Sequence, residues 1–171
     1  MRAALVLAMV LSLTGLAKAD PLDDLNDAED KTYQAWQNVP LTERKIAFIT
    51  ESSRGYGLYV EKQDNVFRKG EKLITYVEPI GYGWKNLPGR KFETNFVVDM
   101  AIKDNKGEVI ADQKGFMKNV MQSHNASMEF SMDFTLTLTG MPAGKYLLTY
   151  TIHDISSGQD SSFDQDFSIA D

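Results

Sequence analysis

"SMEFSMDFTLTLT", residues 127–139, alternates without a break. Met128, Phe130, Met132, Phe134, Leu136 and Leu138 take every second position, with serine, glutamate, aspartate or threonine between them. A period of two sends the apolar side chains to one face of an extended chain and the polar ones to the other. "KFETNFVVDMAIK", 91–103, repeats the pattern: Phe92, Phe96, Val98, Met100 and Ile102 share a face, opposite Lys91, Glu93, Asn95, Asp99 and Lys103, with Val97 and Ala101 as apolar exceptions. Strands with one wet face belong to antiparallel sheets.

Working outward, shorter strands are predicted near 44–50, 56–61, 71–78, 108–117, 145–153 and 161–169. Turn residues separate them at 68–71 (RKGE), 104–107 (DNKG), 141–144 (MPAG) and 156–160 (SSGQD). The fold class expected is all-β: an antiparallel two-sheet sandwich of seven to eight strands over 44–171. Residues 20–43 differ. Asp20 can cap a helix, Pro21 suits its first position, and Asp23, Asp24 and Asp27 favour its positive end. Leu22, Leu25, Ala28, Thr32 and Trp36 then recur at spacings of three and four, so an acidic helical arm and linker is expected there.

The first 19 residues set the compartment. Arg2 precedes the uncharged run "AALVLAMVLSLTGL", and "AKA" at 17–19 offers the small residues that a signal peptidase reads. A spanning helix needs about 20 apolar residues, so the run reads as a cleaved secretory signal, with Asp20 as the first mature residue. Of 171 residues, 152 remain, one ordinary domain. The leader holds two of the 18 basic residues and no acidic one. The mature chain therefore sets 16 basic against 24 acidic residues, a net charge of −8. That surface disfavours nucleic acid and anionic membranes, and no stable membrane insertion is expected after cleavage. No cysteine is present, which excludes disulfides, thiolate metal sites, cysteine nucleophiles and lipidation at the cleavage site. The bacterial periplasm is the expected location.

"LTGMPAGKY", Leu138–Tyr146, resembles the tyrosine corner of immunoglobulin-like and fibronectin-type-III-like domains, in which a proline precedes the tyrosine by four residues; Pro142 and Tyr146 have that spacing. "LLTYTIHDISSGQDSSFDQDFSI" is similar to the last hairpin of such domains. The resemblance implies an immunoglobulin-like sandwich in which the Tyr146 hydroxyl bonds to nearby backbone. It implies no activity, since this superfold hosts unrelated functions. The inter-sheet cysteine pair of antibody domains is missing, and Trp84 precedes the strand on which those domains bury a tryptophan.

Four constellations could carry chemistry. His153, Asp154, Ser156 and Ser157 place histidine, acid and hydroxyl close together, but strand neighbours point to opposite faces; no hydrolase triad is expected, and a hydrolase ranks third among the functions considered. "DNKGE", 104–108, mimics part of a calcium loop but reads as a hairpin turn. Met117, Met121 and His124, with Met128 and Met132, could hold Cu(I) through thioether and imidazole, although Met128 and Met132 fall on a core face. This copper-handling alternative places Met117 and Met121 at the borders of a loop. Finally, "YVEPIGYGW", 76–84, and "RGYGLY", 54–59, set Tyr82, Trp84 and Tyr56 among glycines. Ring-bearing, glycine-rich loops at a sandwich end suit sugar faces, peptide prolines or cations. Tyr56, Tyr82 and Trp84 are the candidate ligand-binding residues, with Trp84 expected to plug the core end and Tyr82 to turn outward beside it. The function expected is a non-catalytic, cofactor-free binding or interaction module for an unknown protein or small ligand.

Overall fold

The computed structural model describes residues 20–89 and 91–170. The expected leader, 1–19, lies outside them. The chain forms two compact units, dividing between Tyr33 and Gln34. The described part of the first is helical, within α1 (Pro21–Gln37). Its start is capped as its residues predict: Asp20 Oδ1 accepts the Leu22 N–H at 3.0 Å, and Asp23 and Asp24 occupy the first turn. Leu22 and Leu25 are exposed on it. Among the described residues, no helix is long and apolar enough to cross a membrane.

The second unit holds nine described strands: β1 (Thr42–Ile49), β2 (Val66–Arg68), β3 (Lys72–Ile80), β4 (Lys85–Leu87), β5 (Lys91–Lys103), β6 (Val109–Ser123), β7 (Met132–Thr137), β8 (Gly144–Asp154) and β9 (Gln159–Ala170). They make two sheets. One has the order β1-β3-β7; the other runs β2-β9-β8-β5-β4, with β6 also on β5. The class is mostly β, as the period-two segments predict. One pairing departs from the antiparallel expectation: β2 joins β9 in parallel, with the fully buried Phe67 fixing it to the core.

The main core follows the alternation. Phe96, Val98, Met100 and Ile102 of β5 and Leu148, Tyr150 and Ile152 of β8 are buried with Met132, Phe134 and Leu136 of β7. Each such side chain contributes about 1.5–3 kcal/mol on burial. Trp36 and Leu41 also belong to this core, so the helix's last turn and the linker pack with the strands.

β3 is buried on both faces. Leu73 and Val77 enter the main core, while Ile74 and Tyr76 join Ala47 and Ile49 in a second cluster. The segment 50–62 covers that outer face. Its Tyr59 ring lies 4.2 Å from the Tyr76 ring, its Gly57 N–H donates to the Tyr76 hydroxyl at 2.7 Å, and its Ser53 N–H donates to Asp133 Oδ2 at 2.7 Å. The strand expected over 56–61 is therefore this covering loop, bridged to β1 only at Ile49–Glu61. Gly55 and Gly57, both at positive φ, turn the chain away from an extended path.

The Tyr146 hydroxyl donates to the Pro142 carbonyl at 2.7 Å.

Candidate functional site

Gly81 positions the first candidate region. Its φ is +74°, and a Cβ there would stand 2.5 Å from the carbonyl oxygens of Val39 and Pro40. Only glycine lets the chain turn against that linker. Two residues on, a Cβ on Gly83 would stand 2.8 Å from Ser157 Cβ. The Gly83 N–H donates to Asp154 Oδ2 at 2.6 Å, and Asp154 also accepts the Ser156 N–H and the Ser157 hydroxyl. This buried carboxylate ties "YVEPIGYGW" to the β8–β9 turn.

The turn aims two rings at one acceptor. The Tyr82 hydroxyl and the Trp84 ring N–H both donate to the Ser127 carbonyl, at 2.8 and 3.1 Å. Trp36 completes the group: its ring N–H donates to the Tyr82 carbonyl at 2.8 Å, its ring stacks on Trp84 at 5.6 Å, and it meets Tyr82 edge-on at 5.1 Å. Tyr82 is 1% exposed, and burial pushes its hydroxyl pKa up. The expected division of labour is thus reversed: Tyr82 is the plug and Trp84 is the half-buried ring beside it. Flanking glycines permit either orientation, and the Ser127 carbonyl and the Trp36 edge decide it. Tyr56 is half-buried in the 50–62 loop. Its hydroxyl accepts from Arg44 at 3.1 Å, and both groups lie within electrostatic reach of the Tyr82 hydroxyl. Of the three predicted residues, Tyr82 and Trp84 meet edge-on at 5.7 Å, but Tyr82 has no open face.

The methionine constellation is not gathered. β6 continues through Ser123, so Met117 and Met121 lie within a strand, opposite Val98 and Thr94, and not at a loop border. Four residues of strand separate their backbones by about 13 Å. Both pack on the core, and His124 is exposed beyond the strand end. Among the described residues, no three His, Cys, Asp or Glu side chains are grouped to hold a metal ion.

Residues 153–157 divide by face, as alternation requires. Asp154 and Ser157 serve the turn, while His153 points to the other side. Its Nδ1 lies 2.7 Å from Asp160 Oδ1 and its Nε2 lies 3.0 Å from Asp99 Oδ2. The Asp99 oxygens also accept the Gly115 N–H at 2.7 Å and the Lys114 ammonium at 3.0 Å. The Gly115 N–H, followed by His153 and Lys114, holds the Asp99 carboxyl down at about 2. Asp99 and then Asp160 raise the His153 pKa. Alternation places Asp99 opposite the core face of its strand but does not pair it with His153. The missing signal was the β5–β8 register, in which Asp99 stands opposite Thr151 and next to His153.

Neither the family models nor the curated proteins compared with the chain match it.

Proposed function

We propose that the chain is an exported, non-catalytic interaction module on an immunoglobulin-like sandwich, working in the bacterial periplasm and contacting its partner through the edge of β6. The leader composition of residues 1–19 supports export. The Tyr146–Pro142 bond supports the immunoglobulin-like reading, since a corner tyrosine makes such a bond.

The observation that carries the non-catalytic reading is His153. Both of its ring nitrogens lie within hydrogen-bond distance of carboxylates, which favours the protonated ring over the neutral imidazole that general-base work needs. β6 supports the binding role. It is the longest strand described, pairs only with β5, and exposes Val109, Ile110 and Val120. An unpaired edge presents a row of backbone donors and acceptors that an added strand can take up.

The test is a photo-reactive residue at Lys118, on β6, against a control at Thr149, on the outward face of β8, in cells exporting the chain. Adducts from Lys118 alone are expected, on a chain whose N-terminus reads Asp20. Adducts from Thr149 alone, or a chain retaining residues 1–19, would refute the edge or the export respectively.

A further inference from the structure

A bulge divides β6. Val98 pairs with Met117 and Met100 with Gln113, so Lys114, Gly115 and Phe116 all stand opposite Asp99. Gly115 takes φ +60° there, and Asp99 binds both its N–H and the Lys114 ammonium. A bulge and a lysine are devices that blunt a sheet edge. The stretch Met117–Ser123 has neither a bulge nor a proline. Its register runs unbroken from Val98–Met117 to Phe92–Ser123, with Lys118 its one charge. Phe96 and Val98, which pair with Asn119 and Met117, face the core, so Lys118, Val120 and Gln122 face outward, and Val120 is 56% exposed.

We propose that this edge pairs with the same edge of a second copy of the chain, antiparallel about a two-fold axis at Val120. The proposal rests on reading β6 as the binding edge and names its occupant. When the seven residues pair with themselves, Val120 meets Val120, Lys118 meets Gln122, Asn119 meets Met121, and Met117 meets Ser123. The two exposed valines then cover each other. Gln122 Nε2 donates to Glu93 Oε2 at 2.9 Å, so the second copy's Lys118 comes beside Glu93, one strand further in. Two strand spacings of about 4.8 Å separate the two backbones, roughly 9.6 Å, a span that an extended lysine and the Glu93 side chain cross together. Symmetry forms this ion pair twice, which is the self-complementarity an isologous interface requires. Centring the pairing on Lys118 instead would set two ammonium groups opposite each other, which is unfavourable.

The chain has no cysteine, so a single Val120→Cys reports the axis directly. Opposed residues have Cα atoms about 4.5–5.5 Å apart, within the roughly 4.4–6.8 Å that a disulfide spans. Mild oxidation should link V120C into a covalent dimer and leave I110C, beyond the bulge, monomeric. Sedimentation of the unmodified chain should show a concentration-dependent dimer. V120K should make it monomeric with unchanged circular dichroism, and K118E should weaken it until E93K is added. A chain that stays monomeric at about 100 µM, or that cross-links equally at Ile110 and Val120, overturns the proposal. If the monomer's Lys118 probe instead captures a different protein, the second copy is excluded and the binding edge stands. With neither dimer nor adduct, both readings fail.

Discussion

Tyr82 and Trp84 share one acceptor, the Ser127 carbonyl, although one ring is buried and the other half-buried. The backbone just before β7 is thereby bound to the turn between β3 and β4, and Trp36 closes the group from the helix end. Aromatic residues that read as a lip are mainly a fastener joining three separate stretches of chain.

The burial difference ranks their substitutions. Tyr82→Ala should cost about 3–5 kcal/mol, as truncation of a buried ring does, and Trp84→Ala should cost less. Tyr82→Phe should cost about 1 kcal/mol, because the Ser127 carbonyl keeps its bond from Trp84. Urea midpoints measure all three. Equal costs for the two alanine variants would contradict the placement of these rings.

Gly81 and Gly107 separate backbone strain from collision. Both have positive φ, +74° and +84°, but a Cβ on Gly81 strikes two carbonyl oxygens and one on Gly107 meets nothing within 4 Å. Gly107→Ala should therefore cost about 1–2 kcal/mol, the left-handed penalty alone. Gly81→Ala should cost clearly more, since backbone atoms of Val39 and Pro40 must move. Thermal unfolding of the two variants gives the comparison.

Tyr146→Phe removes the bond to the Pro142 carbonyl and should lower stability by about 1 kcal/mol. The ring keeps its stacking on Phe167 at 5.3 Å, so the loss reports the hydroxyl alone. An unchanged urea midpoint would remove the strongest support for an immunoglobulin-like corner.

What could be read from residue order was what local pattern dictates. The 91–103 strand is found at its predicted limits, and the turns at 104–107, 141–144 and 156–160 join the strands expected on either side. The pattern that predicts β6 ends at 117, because Lys118, Asn119, Gln122 and Ser123 break the apolar alternation, as an exposed edge strand can. β2 and β4 span three residues each, too few for a period to show. The segment 56–61 alternates like a strand, yet two positive-φ glycines make it a cover for β3. At the site, aromatic and glycine composition located the region, but which ring turned inward depended on acceptors distant in sequence. The Asp99–His153 contact depended on a register that no local pattern encodes.

That contact sets a pH dependence. His153 is bonded between Asp99 and Asp160, with Lys114 on the far side of Asp99, and its pKa is raised above the ordinary 6.5. A raised value means that its stabilisation is complete below pH 6.5 and is lost as pH rises through the folded-state pKa. The Asp99 carboxyl, lowered from 3.8 to about 2, contributes in the opposite sense: fully above 3.8, fading as pH falls toward 2. Both contributions are complete between pH 3.8 and 6.5. His153 is partly exposed, so the loss above that window should be about 1 kcal/mol or less. Urea midpoints followed from acid to alkaline pH should decline above the window in the native chain. His153→Gln should remove that decline while keeping the acid limb. A decline of equal size in His153→Gln would show that the imidazolium is not its source.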